Sequence, residues 1–259
     1  MLKLQQNPLK DVVVVKRSEN GVVACLVRKL EQLGELSQVE RLSIENSTFA
    51  VRQIGSDQDI VRAGDSPVFC PLLLEGFACR YKTLESGQRQ IMAFHVPSDL
   101  CDLTGVLLRT LDHSICTLTP AKVALIPYAT ILDWAGTHRG LCQLLWRATL
   151  VDAAVSREWI VNVGRRTAYQ RTAHLLCELM SRMRSAGLAQ GLACDMPITQ
   201  VELADALGLT PVHVNRTLQW LRSESLIELS AKTLTVRNWR ELKRAAGFDA
   251  TYLHQPGIE

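Results

Sequence analysis

The chain has 259 residues, 47% hydrophobic and 21% charged, with a net charge of +3. That is enough apolar material for one large domain or two ordinary ones of roughly 100–200 residues, and too little charge for a disordered chain. No apolar run approaches the roughly 18 residues of a bilayer span, and Met1–Lys10 lacks the apolar segment and cleavage site of a secretory leader, so a cytoplasmic protein with no membrane partner is expected.

The charge is unevenly placed. Residues 1–164 carry 17 Lys+Arg and 17 Asp+Glu, whereas residues 165–244 carry 12 against 7, the asymmetry expected when one domain meets a polyanion. The eight cysteines are never closer than nine residues, so no local CxxC zinc or redox motif exists, and scattered thiols of this kind act as small buried hydrophobes.

In chain order, an N-terminal segment (1–44) contains a short helix over Val27–Glu40, with Leu30, Leu33 and Leu36 at helical spacing. From 45 to 133 short β-branched and aromatic runs alternate with turn signals such as Gly64-Asp65-Ser66-Pro67 and Pro97-Ser98-Asp99. Such spacing marks a sandwich or barrel, and its clearest hairpin runs Ala78–Leu84, Glu85-Ser86-Gly87, Gln88–Phe94. A long helix follows within 134–164. Its stripe Leu141, Leu144, Ala148, Val151 and Val155 is heptad-like and predicts pairing with a second copy of the chain. A further helix over Thr167–Ala186 opens the last domain, 165–259.

The segment 198–229 carries the function. Thr199 with Glu202 three residues on forms a capping box that starts a helix, and Leu203 and Leu207 share one face. Gly208 supplies the permissive backbone of a tight turn. Thr210 caps a second helix, 211–224, with Pro211 in its first turn, where a missing N–H costs nothing. Two short helices joined by a Gly-containing turn are a helix-turn-helix. With Val214, Leu218 and Leu221 inward, the second helix turns Val212, Arg216 and Gln219 outward, flanked by His213 and Asn215. Arg216 is the candidate for guanine O6 and N7, Gln219 or Asn215 for adenine, and Val212 for a thymine methyl. Thr199, Gln200, Thr210 and His213 lie at helix N-termini and are candidates for phosphate contact. Leu226–Leu229 and Leu234–Arg237 suggest a hairpin wing. Cys194, just ahead of the motif, is the candidate for coupling thiol oxidation to DNA affinity.

The fold class is α+β: an N-terminal β-roll (a double-stranded β-helix), a long dimerisation helix and a C-terminal winged helix-turn-helix. Arranged so, the chain resembles the Crp–Fnr family of bacterial transcription regulators. Ile198–Leu229 is the most specific part. Cys79-Arg80-Tyr81-Lys82, Gly87-Gln88-Arg89-Gln90-Ile91, Trp159–Arg166 and Ala173–Leu179 resemble a subgroup common in α-proteobacteria. The resemblance implies a homodimer on an inverted-repeat duplex, with RNA polymerase as a further partner and no enzymatic activity.

Where members of the family bind cyclic AMP they carry a Gly-Glu pair and an Arg-Ser or Arg-Thr pair. The corresponding stretches here are Cys101-Asp102-Leu103 and His113-Ser114-Ile115, so Asp102, His113 and Ser114 are the candidate effector residues. His113 is a poor replacement for a bidentate guanidinium. Only Cys25 lies in the first 69 residues, which removes the cysteine cluster of the iron–sulfur branch. No cofactor and no metal are expected. The competing readings are a cupin-like metalloenzyme, against which His95 and His113 are the only histidines in 45–130, and a cyclic-nucleotide-responsive regulator.

Overall fold

A computed structural model describes residues 13–15 and 20–255, so the expectation for Met1–Lys10 lies outside the described residues. Strand β1 (Val13–Val15) is followed by helices α1 (Asn20–Glu31) and α2 (Gln38–Glu45). The single helix expected over 27–40 is therefore two, for a local reason. The Ser37 side chain accepts from the Glu40 N–H while the Glu40 carboxylate accepts from the Ser37 N–H, a reciprocal cap that fixes a new helix start.

Strands β2 (Phe49–Ile54), β3 (Asp59–Val61), β4 (Phe69–Glu75), β5 (Ala78–Thr83) and β6 (Arg89–His95) come next. The short helix α3 (Gly105–Leu108) and strands β7 (Ser114–Thr117) and β8 (Ala121–Pro127) complete the roll. They form two four-stranded sheets, in the orders β1-β2-β8-β4 and β3-β7-β5-β6. Ile54, Leu73, Ile115, Val123 and Leu125 fill the interior of the roll. Because side chains alternate along a strand, Leu72, Ala124 and Ile126 point to the outside of the first sheet, into a layer shared with Leu26 and Leu30 of α1. On the second sheet Cys79, Ile91, Phe94 and Cys116 face the C-terminal domain. Both outer faces are covered, which explains why β4 and β8 read as unbroken apolar runs rather than alternating ones.

Helix α4 (Tyr128–Thr137) leads into α5 (Arg139–Arg165), 27 residues and so about 40 Å long. Part of the stripe expected to pair two copies is buried by the chain itself, and the rest is half-buried. Leu141 and Leu144 are buried in the layer over the first sheet, Ala148 and Val151 pack against it, and Val155 packs against the layer shared with the C-terminal domain. A different stripe of α5 is exposed: Trp146 at 68%, Leu150 at 59% and Ile160 at 72%. A long amphipathic helix with two apolar faces does not declare in sequence which face meets its own domain.

Helix α6 (Ala168–Ser185) is the backbone of the C-terminal domain. Strands β9 (Ala189–Gln190) and β10 (Ala193–Asp195) precede α7 (Gln200–Leu207) and α8 (Pro211–Ser223). Strands β11 (Ile227–Ser230) and β12 (Thr233–Val236), helix α9 (Trp239–Ala246) and a 3-10 turn (Ala250–Leu253) follow. The expected wing hairpin is β11–β12, and it is half of a sheet ordered β11-β12-β10-β9.

Charged groups knit the junction of roll and C-terminal domain. Asp99 pairs with Lys29 of α1 at 2.8 Å and with Arg182 of α6 at 2.6 Å, and Arg182 also donates to the Phe94 carbonyl at 2.7 Å. Burial raises the Asp99 pKa, but Lys29 and Arg182 outweigh it and the carboxyl lies well below the usual range. Glu178 of α6 accepts from Trp159 Nε1 at 3.0 Å and from the Tyr252 hydroxyl at 2.8 Å, so the 3-10 turn is tied to α5 through one buried carboxylate.

Candidate nucleic-acid interface

Every local signal of the helix-turn-helix has its counterpart in the structure. Thr199 and Glu202 form the capping box of α7, and Gly208 sits at φ +61° in the left-handed region, which glycine adopts without a Cβ penalty. Arg171 of α6 donates to the Leu207 carbonyl at 2.7 Å, giving the exposed C-terminal end of α7 a cationic donor. Thr210 caps α8 by accepting from the His213 N–H at 3.3 Å, with Pro211 in the first turn.

Helix α8 spans Pro211–Ser223, within a residue of expectation. Val214, Leu218 and Leu221 are each 0% exposed, so the helix is held by one fully buried stripe. Val212, His213, Arg216 and Gln219 are all exposed on its other side. A rigid helix presenting a guanidinium, an amide and a branched apolar side chain on one face can hydrogen-bond to base edges and touch methyl groups in a major groove.

Asn215 is placed differently from its flanking role in the sequence. It is half-buried, and its Nδ2 donates to Gln200 Oε1 at 3.1 Å. Asn215 thereby joins the two helices, and the Nε2 of Gln200 stays available as a donor at the α7 N-terminus. The Thr199 and Thr210 oxygens accept backbone N–H groups, while each hydroxyl hydrogen can still donate to a phosphate.

Sequence reasoning missed two neighbours of this surface. Trp220 is half exposed, packs on Tyr169 with ring centroids 4.7 Å apart and donates to Glu224 at 2.8 Å. The wing turn, Ala231-Lys232, has φ of 49° and 65°. Positive φ at both turn residues is the hairpin geometry usually built with Asn-Gly, so the Ala-Lys pair gave no signal. The turn projects Lys232, an exposed cation, at the wing tip.

None of the candidate effector residues lines the cavity between the roll and α5. Asp102 is 1% exposed, and its Oδ1 accepts from the N–H and the hydroxyl of Thr104 at the start of α3, at 2.8 and 2.5 Å. Its Oδ2 lies 3.8 Å from His113 Nε2, and His113 Nδ1 contacts Asp112 at 2.9 Å. The structure therefore brings Asp102 and His113 together inside the roll wall, and Ser114 binds the Ala63 N–H at 3.0 Å. That cavity, of about 80 Å³, is lined by Arg80, His95, Thr104, Thr149, Asp152 and Val155 among others. It is small beside the roughly 300–1,000 Å³ of typical small-molecule sites. Arg80 is paired there with Asp152 at 2.8 Å and with the Cys101 carbonyl at 2.7 Å. Burial holds His95 neutral, with a pKa pushed down to about 3. Cys194 is buried, and burial pushes its thiol up to about 11, the behaviour of a packing residue.

Known proteins share this arrangement. The profile of the Crp-like helix-turn-helix domain matches residues 170–245, and that of the cyclic nucleotide-binding domain matches residues 51–138. The transcriptional activator protein FnrL of Cereibacter sphaeroides is 26% identical over 230 residues, covering 87% of this chain and 92% of its own. The fumarate and nitrate reduction regulatory protein of Vibrio cholerae is 25% identical over 213 residues, covering 82% and 83%. The chain belongs to the Crp–Fnr family of transcription regulators. Among solved Crp–Fnr structures, FixK2 from Bradyrhizobium japonicum has the same fold, with a TM-score of 0.69, 24% identity and coverage of 78% of this chain and 99% of its own. As a Crp–Fnr protein the chain is a regulator whose helix-turn-helix is its DNA-binding element.

Proposed function

We infer that the chain acts as a homodimer on an inverted-repeat duplex, with α8 of each copy in successive major grooves. The observation that carries this reading is the division of α8 into a fully buried stripe and an exposed face bearing Val212, His213, Arg216 and Gln219. Arg216 is the principal base-reading group, Gln219 and His213 read neighbouring positions, and Asn215 holds the angle between α7 and α8. Thr199, Gln200, Thr210 and Lys232 are phosphate contacts that set register.

The dimer contact is the exposed apolar group Trp146, Leu150 and Ile160, on one side of α5, whose other side is engaged by its own chain. The protein works in the cytoplasm as a regulator rather than an enzyme, with RNA polymerase as its further partner, in keeping with relatives that are transcriptional activators. Arg80 is already ion-paired and Asp102 is engaged at the start of α3, which speaks against a cyclic-nucleotide site in the roll.

Selection of bound duplexes from a random pool at two salt concentrations tests the reading. Recovery of an inverted repeat with half-sites about one helical turn apart is the expected result. Recovery of nothing beyond salt-sensitive, sequence-blind binding overturns it.

A further inference from the structure

Two of the scattered thiols are brought together by the sheet. Cys79 of β5 and Cys116 of β7 are directly opposed in an antiparallel pair, and their Sγ atoms are 3.5 Å apart. Directly opposed residues have Cα atoms about 4.5–5.5 Å apart in either kind of antiparallel site, within the range a disulfide spans. Closing the sulfurs to about 2.05 Å needs side-chain rotation and no change of strand register.

The surroundings favour one partner as the nucleophile. Cys116 is the more accessible of the two, 6% exposed against 0% for Cys79, and the positive charge of Arg89 favours a thiolate at either sulfur. A pair of opposed thiols beside a guanidinium is an arrangement that favours thiolate chemistry. Both sulfurs lie in the apolar layer between the second sheet and the C-terminal domain. Above them, Arg89 is ion-paired with Asp205 of α7, and Gln90 donates to the Ala206 carbonyl at 3.2 Å.

We propose that Cys79 and Cys116 form a reversible thiol–disulfide pair, oxidised by a hydroperoxide, whose state is felt by the first helix of the helix-turn-helix. The Cys116 thiolate attacks the peroxide O–O bond, giving a sulfenic acid and, with one proton taken up, water. The Cys79 thiol then attacks the Cys116 sulfur, the S–S bond forms, and hydroxide leaves with the Cys79 proton as a second water. The peroxide is reduced by two electrons and the two thiols are oxidised by two. Bridging draws β5 and β7 together, and its effect reaches α7 through β6, which pairs with β5 and carries the Arg89 and Gln90 contacts to α7.

The test uses the full-length reduced protein, a small excess of hydrogen peroxide, alkylation and peptide mapping. The expected product is a crosslink between the Cys79 and Cys116 peptides, a mass loss of about 2 Da that dithiothreitol reverses. It forms in the C177S variant and not in C116S. Amide exchange across 200–207 is expected to differ by about three-fold or more between the reduced and bridged protein. Alkylation of both Cys79 and Cys116 while Cys25 and Cys142 become oxidised overturns the proposal, and so does a crosslink that leaves exchange in α7 unchanged. The wild-type mapping decides even where C116S does not fold.

Discussion

Arg89 of the roll meets Asp205 of the first helix of the helix-turn-helix at 2.8 Å, each side chain about three-quarters buried. This contact joins the two domains through residues 116 positions apart, and it holds the DNA-binding element from behind while α8 faces outward. Replacing Arg89 by Ala should remove about 0.5–1 kcal/mol of docking, seen as a two- to five-fold rise in amide exchange across 200–207 with the far end of α6 unchanged. Equal rates in both proteins would show that the apolar layer alone sets the docking.

In the proposed reading, base readout centres on Arg216. Arg216→Ala is expected to cost about 1–3 kcal/mol at one base position and to relax preference there. Lys232→Ala should instead weaken binding evenly across sequences and lower the salt slope by about one. Competition binding on a panel of single-base variants separates the two patterns. An Arg216→Ala protein with unaltered preference would reassign the recognition face.

Leu150→Glu introduces a charge on the exposed stripe of α5 and should shift the protein from dimer to monomer in sedimentation. Val151→Ala, which trims a residue packed against its own chain, should leave the dimer constant alone. A monomer from the second variant and a dimer from the first would place the contact on the other face.

Burial holds both His95 and His174 neutral, each with a pKa pushed down to about 3. A histidine depressed below its unfolded value near 6.5 binds fewer protons folded than unfolded between those limits. Stability is therefore full above about pH 6.5 and falls as the pH drops toward 3, by up to about 1.4 kcal/mol per pH unit for each histidine. Urea titrations from pH 7 to 4 should show this slope, and it should flatten in a His95→Gln, His174→Gln protein. A wild-type midpoint that does not move across that range would contradict the buried neutral state.

Gly140 leaves room for one side chain. A Cβ there would lie 2.1 Å from Glu40 Oε1, and that carboxylate is held by the Ser37 cap and by the Leu141 N–H. Gly140→Ala should therefore destabilise the protein by about 1–3 kcal/mol, although alanine is otherwise the better helix former. A raised melting temperature would mean that Glu40 can move aside at no cost.

The helix-turn-helix was legible because its information is local. Thr199 and Glu202, Gly208, and Thr210 with Pro211 each act on neighbours within a turn of helix. The roll was legible as turns and strands, and its hairpin over Ala78–Phe94 lies where expected. What could not be read depends on distant residues. Asp99 is 70 and 83 positions from Lys29 and Arg182, and Cys79 is 37 from Cys116. The stripe on α5 was legible as apolar, and its upper part, Leu141 and Leu144, is buried by its own chain while Ala148, Val151 and Val155 are only half-buried there, because periodicity reports an apolar face and not what covers it. The half-buried placement of Asn215 depended on Gln200, 15 residues away, on the neighbouring helix.

The length of α5 sets a lever ratio. Anchored at Leu141 and Leu144 over the first sheet and running about 40 Å, the helix turns a tilt of about 10° at its roll end into a swing of roughly 7 Å at Arg165. That is about two base-pair steps of 3.4 Å along a duplex. In the proposed dimer, the spacing of the two recognition helices would therefore be set by how firmly Arg80 and Asp152 hold α5 to the roll.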